Sequence, residues 1–399
     1  MLLQPEARNL RRTRIKYLAF DCGLTARLFS YSMLHFSKIA KLFIGTGLTL
    51  GLAASAAAQS KDATPKYSNE FLNIGVGGRA LGMGKVQVSL VEDATAGYWN
   101  PAGLVNLKNK YDAVLMHSEL FSGIVKNDYA AFAMPLDEKS AIGVSVLRLG
   151  VDDIADTRNL INEYGYIQYD KITYFSVADY ALLLSYARKI GNIEGLSIGA
   201  NGKIIYRNIG SFADGYGFGI DAGVQYNHAG WRLGLMARDI TTTFNAWQIN
   251  ADKFKSSANI GDAVPKNSNE ITLPRLVLGV GHSFKLPGQF TALAAADFDI
   301  TTDGKRNTLV ASNFASIDPH AGVEVGYNNL IFLRGGASNI QQIDASISGQ
   351  KEWTMQPSLG VGVALSGLRL DLALSRLAVE KLGGANANSI IVSLGYGFK

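Results

Sequence analysis

Tyr216-Gly217-Phe218-Gly219-Ile220-Asp221-Ala222-Gly223-Val224-Gln225-Tyr226 alternates large apolar residues with glycine, aspartate and glutamine. A period of two is the signature of a β-strand with two unlike faces. Working outward, the same pattern recurs to the end of the chain. Leu359, Val361, Val363 and Leu365 alternate with Gly360, Gly362 and Ala364. Leu368, Leu370, Leu372 and Leu374 alternate with Arg369, Asp371, Ala373 and Ser375, and Ile390, Val392, Leu394, Tyr396 and Phe398 with Ile391, Ser393, Gly395 and Gly397. A soluble sandwich also alternates. Here the apolar face is continuous Leu, Val, Ile and aromatic, and the other face holds Gly, Ser and unmatched charge. That is the apolar-out, polar-in arrangement that lipid requires.

The reading gives fourteen strands: 112–119, 128–135, 140–150, 180–189, 196–207, 215–227, 231–238, 275–284, 290–300, 320–327, 331–338, 355–365, 368–376 and 389–398. The connections alternate short and long, as brief periplasmic turns and long extracellular loops do. His228–Gly230 and Ser366–Gly367 are among the short ones; Val151–Asp179 and Asp239–Pro274 are among the long ones. No stretch after the N-terminal region is long and apolar enough for a membrane helix, so an integral chain must close on itself as a barrel. The expected fold is all-β: a transmembrane antiparallel up-and-down barrel over 111–399. Phe398 fits the aromatic C-terminus of outer-membrane barrels, although Lys399 follows it.

The N-terminus reads as export machinery. Lys38 and Lys41 precede an apolar run, Leu42 to Leu52, and Ala56-Ala57-Ala58 gives a small-residue cleavage pattern. Residues 33–58 are therefore expected to be a cleaved signal peptide, and 1–32 an upstream extension ahead of a start at Met33. Eight basic residues precede Gln59 (Arg8, Arg11, Arg12, Arg14, Lys16, Arg27, Lys38 and Lys41) against only Glu6 and Asp21. That segment thus carries a net +6 and the remainder −1 (30 basic against 31 acidic residues), which together make the formal +5, so nothing remains to mark a nucleic-acid partner. The single cysteine, Cys22, lies there too, so disulfides and thiol chemistry are not expected downstream.

Residues 59–110 do not alternate. They carry Gly77-Gly78-Arg79-Ala80-Leu81-Gly82-Met83-Gly84 and Asp93-Ala94-Thr95-Ala96-Gly97-Tyr98-Trp99-Asn100-Pro101-Ala102-Gly103-Leu104. The glycine spacing does not complete a phosphate loop. A barrel of about fourteen strands lies between one filled by its own side chains and one with an open channel, leaving room for an inserted segment. A glycine-rich stretch coils tightly and packs closely. We read 59–110 as a lumenal plug, or hatch. Gly77, Gly78, Arg79, Gly82, Gly84, Asp93, Asn100, Pro101, Ala102 and Gly103 are its candidate determinants. Asn100, Pro101 and Gly103 either line a ligand opening or shape the hatch, and the backbone constraints of Pro and Gly favour the second.

These two motifs resemble the N-terminal signature of the PorV/PorQ family, and the Asn-Pro-Ala-Gly part is similar to the wider FadL-type barrels. The resemblance implies a FadL-like fourteen-strand barrel with an N-terminal hatch, in the outer membrane of Bacteroidetes-type bacteria. For PorV it implies association with type IX secretion and with the signal domains of secreted cargo. For FadL-type proteins it implies transport of hydrophobic small molecules.

Catalytic chemistry is not expected. His35, His117, His228, His282 and His320 form no close ligand pair, and no nucleophile elbow is present. No metal or cofactor is expected either. Asp221, Arg232, Glu324, Arg334, Arg369 and Asp371 are expected to face the lumen. They form either a polar path or, as the mixed signs favour, pairs that brace the barrel and anchor the plug. Phe71, Leu72, Leu81 and Met83 are candidate contacts for a hydrophobic ligand. Tyr164, Tyr166, Tyr169 and Trp247, in long loops, serve either interface packing or a protein partner. The expected partners are outer-membrane lipid and either secretion components with their cargo or a hydrophobic small molecule. The secretion reading leads, by resemblance; solute transport is the alternative and a purely structural barrel the third.

Overall fold

Burial in the computed structural model is inside-out relative to a soluble protein. Leu359 is 67% exposed and Leu374 56%, whereas Ser393, Asp221 and Lys203 are buried. The structure describes residues 68–162, 164–254, 266–344, 351–377 and 387–398. The expected signal peptide (33–58), the expected upstream extension (1–32) and the first part of the expected plug (59–67) lie outside the described residues, as does Lys399.

Seventeen strands follow in chain order: β1 (Tyr111–Leu120), β2 (Val125–Pro135), β3 (Ser140–Asp156), β4 (Thr173–Lys189), β5 (Leu196–Ile209), β6 (Ala213–His228), β7 (Trp231–Arg238), β8 (Thr243–Ile249), β9 (Ser268–Thr272), β10 (Arg275–Lys285), β11 (Phe290–Thr301), β12 (Val310–Ala311), β13 (Ser316–Tyr327), β14 (Ile331–Asp344), β15 (Lys351–Leu365), β16 (Leu368–Leu377) and β17 (Ala387–Phe398). All except β8, β9 and β12 form a closed antiparallel ring of fourteen: β7 pairs with β10, β11 with β13, and β17 returns to β1 from Tyr111↔Phe398 to Glu119↔Ile390. Closure leaves no edge in lipid. Among the described residues no helix is long and apolar enough to cross a membrane. The chain crosses with strands.

All fourteen strands read from the sequence are present. The differences lie at their extracellular ends. β3 runs on to Asp156, and β4 begins at Thr173 instead of near 180. β8 and β9 pair as a hairpin inside the stretch read as loop from Asp239 to Pro274. That hairpin continues β7 and β10 beyond two kinks, one over Asp239–Thr242 and one at Leu273–Pro274. Above the bilayer both faces of a ribbon meet water, so the lipid-imposed alternation that marks a strand is lost.

The short turns lie at the other end. Ala229-Gly230 (φ 49° and 85°) and Ser366-Gly367 (φ 50° and 90°) are left-handed at both positions, the geometry that matches the twist of a two-residue hairpin. Aromatic rings mark both limits of the apolar band. Toward the extracellular end Tyr206 packs against Tyr180 at 6.0 Å and Tyr216 at 5.2 Å between centroids. Toward the periplasmic end Phe290 packs on Tyr327, and Tyr396 on Phe398.

A plug braced by charge above and below, with a vestibule over it

Residues 68–110 occupy the lumen. The segment starts in the extracellular half, where Asn69 donates to the Thr272 hydroxyl and accepts from Asn245. It descends through two short helical turns, Gly78–Gly82 and Ala96–Trp99, and a 3-10 turn, Pro101–Asn106. It leaves at the periplasmic end, where the Lys110 amide bonds the Phe398 carbonyl.

Glycine allows this close fit from both sides. A methyl group added at Gly84 would fall 2.6 Å from the Ala337 nitrogen. One added to the wall at Gly199 would fall 2.5 Å from the Ala102 nitrogen, and one at Gly234 2.5 Å from the Val88 carbonyl oxygen. The inward glycines of the strands are thus seats for plug backbone, a role that alternation alone does not reveal.

Asn100 is fully buried and acts as a staple. Its Nδ2 donates to the carbonyls of Val88 and Val224, each at 3.0 Å, and its Oδ1 accepts from the Ala102 amide at 3.2 Å. Pro101 follows at the first position of the 3-10 turn, where its missing N–H costs nothing. Asp93 caps its own turn, accepting from the Thr95 amide and hydroxyl. The amides of Gly77 and Gly78 donate to Met116 Sδ and Ser393 Oγ. Gly82 lies on Gly360, and Gly103 lies against the Val91 carbonyl.

The six lumenal charges all carry partners. Arg79 of the plug makes a two-pronged bond to Glu324, both contacts at 2.9 Å. Glu324 also accepts from Arg334 Nε at 2.6 Å, and Arg334 reaches Asp371 at 2.6 Å. Arg369 holds Asp112 at 2.8 Å and stands 3.8 Å from Asp93. Arg232 reaches Glu92 at 3.3 Å, and Asp221 pairs with Lys203 at 2.7 Å. Lys203 also meets Asp239 at 2.6 Å, so one buried cation holds two carboxylates at the kink between β7 and β8.

Several anchors carried no signal in the sequence. Asp297 of β11 accepts from the amides of Gln87 and Val88 at 2.8 and 3.0 Å. Arg238 donates to the Leu72 carbonyl at 2.9 Å and lies over the Tyr98 ring at 4.8 Å. The Tyr98 hydroxyl donates to the same carbonyl at 2.5 Å, and Trp99 Nε1 to the Val76 carbonyl at 2.9 Å.

Above this floor is a vestibule of about 420 Å³. One side is apolar, with Ile74, Leu81, Trp99, Phe121 and Ile391. The opposite side carries Lys85, Arg275, Asp299, Arg306 and His320. Below the floor, a void of about 20 Å³ lies beside Arg79, Arg369 and Asp371. Plug backbone packs directly on the wall there, at Gly78 against Asp371 and at Gly82 against Gly360, and among the described residues it closes the lumen on the periplasmic side of the vestibule. Of the four candidate ligand contacts, Leu81 lines the vestibule and Leu72 an adjoining void of about 30 Å³ that shares Tyr98, Arg238 and Arg275 with it. Phe71 is buried with Arg207 5.9 Å from its ring. Met83 is sealed among Val86, Leu90 and Leu293.

The loop aromatics divide as well. Tyr164, Tyr166 and Tyr169 are 76%, 71% and 73% exposed in the lobe between β3 and β4. Trp247 belongs instead to the β8–β9 hairpin. Its Nε1 donates to Glu270 at 2.9 Å, and Arg207 lies 5.0 Å from its ring. It packs inward because β8 is a strand, and alternation turns that position toward the lumen.

This geometry defines a plugged, closed antiparallel barrel of fourteen strands, apolar outside and polar within. Solved structures agree on the fold. The Ralstonia pickettii toluene transporter TbuX is similar with a TM-score of 0.51 at 13% identity, covering 82% of this chain and 99% of that one. The CymD monoaromatic hydrocarbon channel gives 0.51 at 14%, covering 82% and 98%, and the P. putida toluene transporter TodX gives 0.50 at 13%, covering 81% and 99%. At such identities the likeness is one of fold. No protein-family model and no curated protein matches the chain.

Proposed function

We propose that this protein lies in the bacterial outer membrane and carries small hydrophobic or amphipathic molecules inward, without converting them. The observation that carries this reading is the vestibule: a cavity of about 420 Å³ open above a closed plug, with an apolar side at Leu81 and Trp99. Ligand pockets are concave, mainly apolar and fixed by a few polar groups. The charged side opposite Leu81 suits a molecule with a polar end. Barrels of the same fold bear the names toluene transporter and monoaromatic hydrocarbon channel, which agrees with a solute of this size. The plug must shift for passage, and the ion pairs that seat it are where a shift begins. The test is uptake of labelled monoaromatic and alkyl solutes by a deletion strain complemented with wild type or Leu81→Arg. Uptake restored by wild type and not by the variant supports the reading; equal uptake in all strains overturns it.

A partner-binding role in type IX secretion is the second reading. The signature over 77–104 resembles that of the PorV/PorQ family, and Tyr164, Tyr166 and Tyr169 offer exposed aromatic surface on the extracellular lobe. Exposed tyrosines of this kind suit protein interfaces. Deleting the lobe separates the two readings. Loss of surface display of secreted cargo with normal solute uptake favours the second.

A further inference from the structure

The polar side of the vestibule holds two carboxylates that do not brace the plug. Asp299 of β11 and Asp318 of β13 are direct register partners. Both line the vestibule, as does His320, the next inward residue of β13. Among the described residues their contacts are long. Arg275 stands 3.5 Å from Asp299, and His320 Nε2 stands 3.6 Å from Asp318 and 4.0 Å from Asp299. A well-made N–H···O bond measures about 2.7–3.2 Å. The carboxylates that seat the plug differ: Glu324, Asp112 and Asp297 accept at 3.0 Å or less.

His320 makes this more than a pair of acids. Its side chain is 6% exposed, and Nδ1 lies 3.2 Å from the Gly84 carbonyl. A carbonyl only accepts, so Nδ1 carries a proton there and the plug fixes the ring. Nε2 then faces both carboxylates, buried and without a hydrogen-bond partner, and Asp318 Oδ1 is unpartnered as well. Three polar groups converge and none satisfies another, which folded proteins seldom leave so without a further partner. The charge around them is balanced. Lys85 and Arg275 stand on the same wall, and Lys85 is attracted by both carboxylates while its Nζ donates only to the Asn73 carbonyl, at 3.4 Å. A carboxylate or ammonium on a solute would bring unmatched charge out of water, whereas a hydroxyl brings none. A hydroxyl donates to an ionised carboxylate, the stronger kind of hydrogen bond.

We propose that Asp299 and Asp318, backed by His320, receive the hydroxyl of a neutral amphipathic solute, a phenol or an alcohol, whose apolar body lies toward Leu81 and Trp99 across the vestibule. This rests on the transport reading and names the substrate class for it. A hydrocarbon of the same shape fills the apolar side but gives the carboxylates no donor. The site therefore discriminates between solutes by what its own polar groups gain or lose.

The test is calorimetric titration of the barrel in lipid nanodiscs, with the signal of empty nanodiscs subtracted. Toluene, 4-methylphenol, 4-methylbenzoate and protonated 4-methylbenzylamine share one body and differ in the polar end. Wild type is expected to bind 4-methylphenol roughly tenfold more tightly than toluene, and more tightly than either ion. The double variant Asp299→Asn/Asp318→Asn keeps the size of both side chains. It is expected to lose most of that preference while binding toluene as before, a split that general damage to the fold would not produce. Heat-modifiable gel migration checks that the variant has closed, and the comparison of solutes within wild type decides even if it has not. The proposal is overturned if wild type binds toluene or either ion as tightly as 4-methylphenol, or if the closed variant keeps the full preference. Equal binding of toluene and 4-methylphenol sinks the hydroxyl site alone; binding of none of the four sinks the transport reading with it.

Discussion

Replacing Glu324 by glutamine removes the charge that joins the plug to the wall. Its carboxylate lies between Arg79 of the plug and Arg334 of β14, and its side chain is 9% exposed. Removing one partner from a buried ion pair costs about 3–5 kcal/mol, because the remaining charge is left uncompensated. Asp371 still serves Arg334, and the Arg79 side chain keeps 21% exposure, so the low end applies. A loss of about 3 kcal/mol in plug seating raises the population of the unseated plug by roughly 100-fold. A cysteine in place of Ala80 reads this directly, since Ala80 is 1% exposed and the only natural cysteine is Cys22. A water-soluble maleimide should label Ala80→Cys about 100-fold faster when Glu324→Gln is also present, as expected when labelling follows opening. Equal labelling rates in two closed barrels would refute the bracing role of the pair.

Wall glycines should be as sensitive as the charges. Gly199→Val should leave the barrel heat-modifiable while exposing the plug to protease, since a side chain there meets Pro101 and Ala102; a protected plug would contradict this. Asn100→Ala should act alike, because it leaves the Val88 and Val224 carbonyls without their shared donor, a loss of about 1–3 kcal/mol readable in urea unfolding. In the turn between β2 and β3, hydrogen bonds from the Ser140 hydroxyl and the Lys139 amide hold the Asp137 carboxyl below its usual range. Its folded value is lower than its unfolded one. The stabilisation is therefore present above the ordinary aspartate pKa and is lost as pH falls through the folded value. Unfolding midpoints measured from about pH 5 to about pH 2 should fall less steeply in Asp137→Asn than in wild type.

The barrel was legible because lipid leaves a strand little choice. On β16 every outward position from Leu368 to Leu374 must be apolar, and the inward Arg369 and Asp371 cannot exchange with them. Where lipid stops, so does the constraint. β8 places Phe244 outward and Asn245 inward, but it is short and lies beyond the bilayer, so its sequence does not stand out from a loop. The plug showed itself as a break in the alternation, flanked by motifs rich in glycine. Its attachments did not. Asp297 and Arg238 sit in ordinary strand positions, and what makes them anchors is backbone more than a hundred residues away in sequence. Met83 and Leu81 are two residues apart in one glycine-rich run, yet one seals against the wall and the other faces the vestibule. Only the fold separates them.

The vestibule above the plug is tested most directly by one tryptophan. With Trp231, Trp247 and Trp353 replaced by phenylalanine, Trp99 alone reports from the vestibule floor of a barrel in lipid nanodiscs. A brominated monoaromatic solute should quench it saturably, and Leu81→Arg should abolish the quenching. Quenching that never saturates, or that survives the arginine unchanged, would contradict a solute site in the lumen.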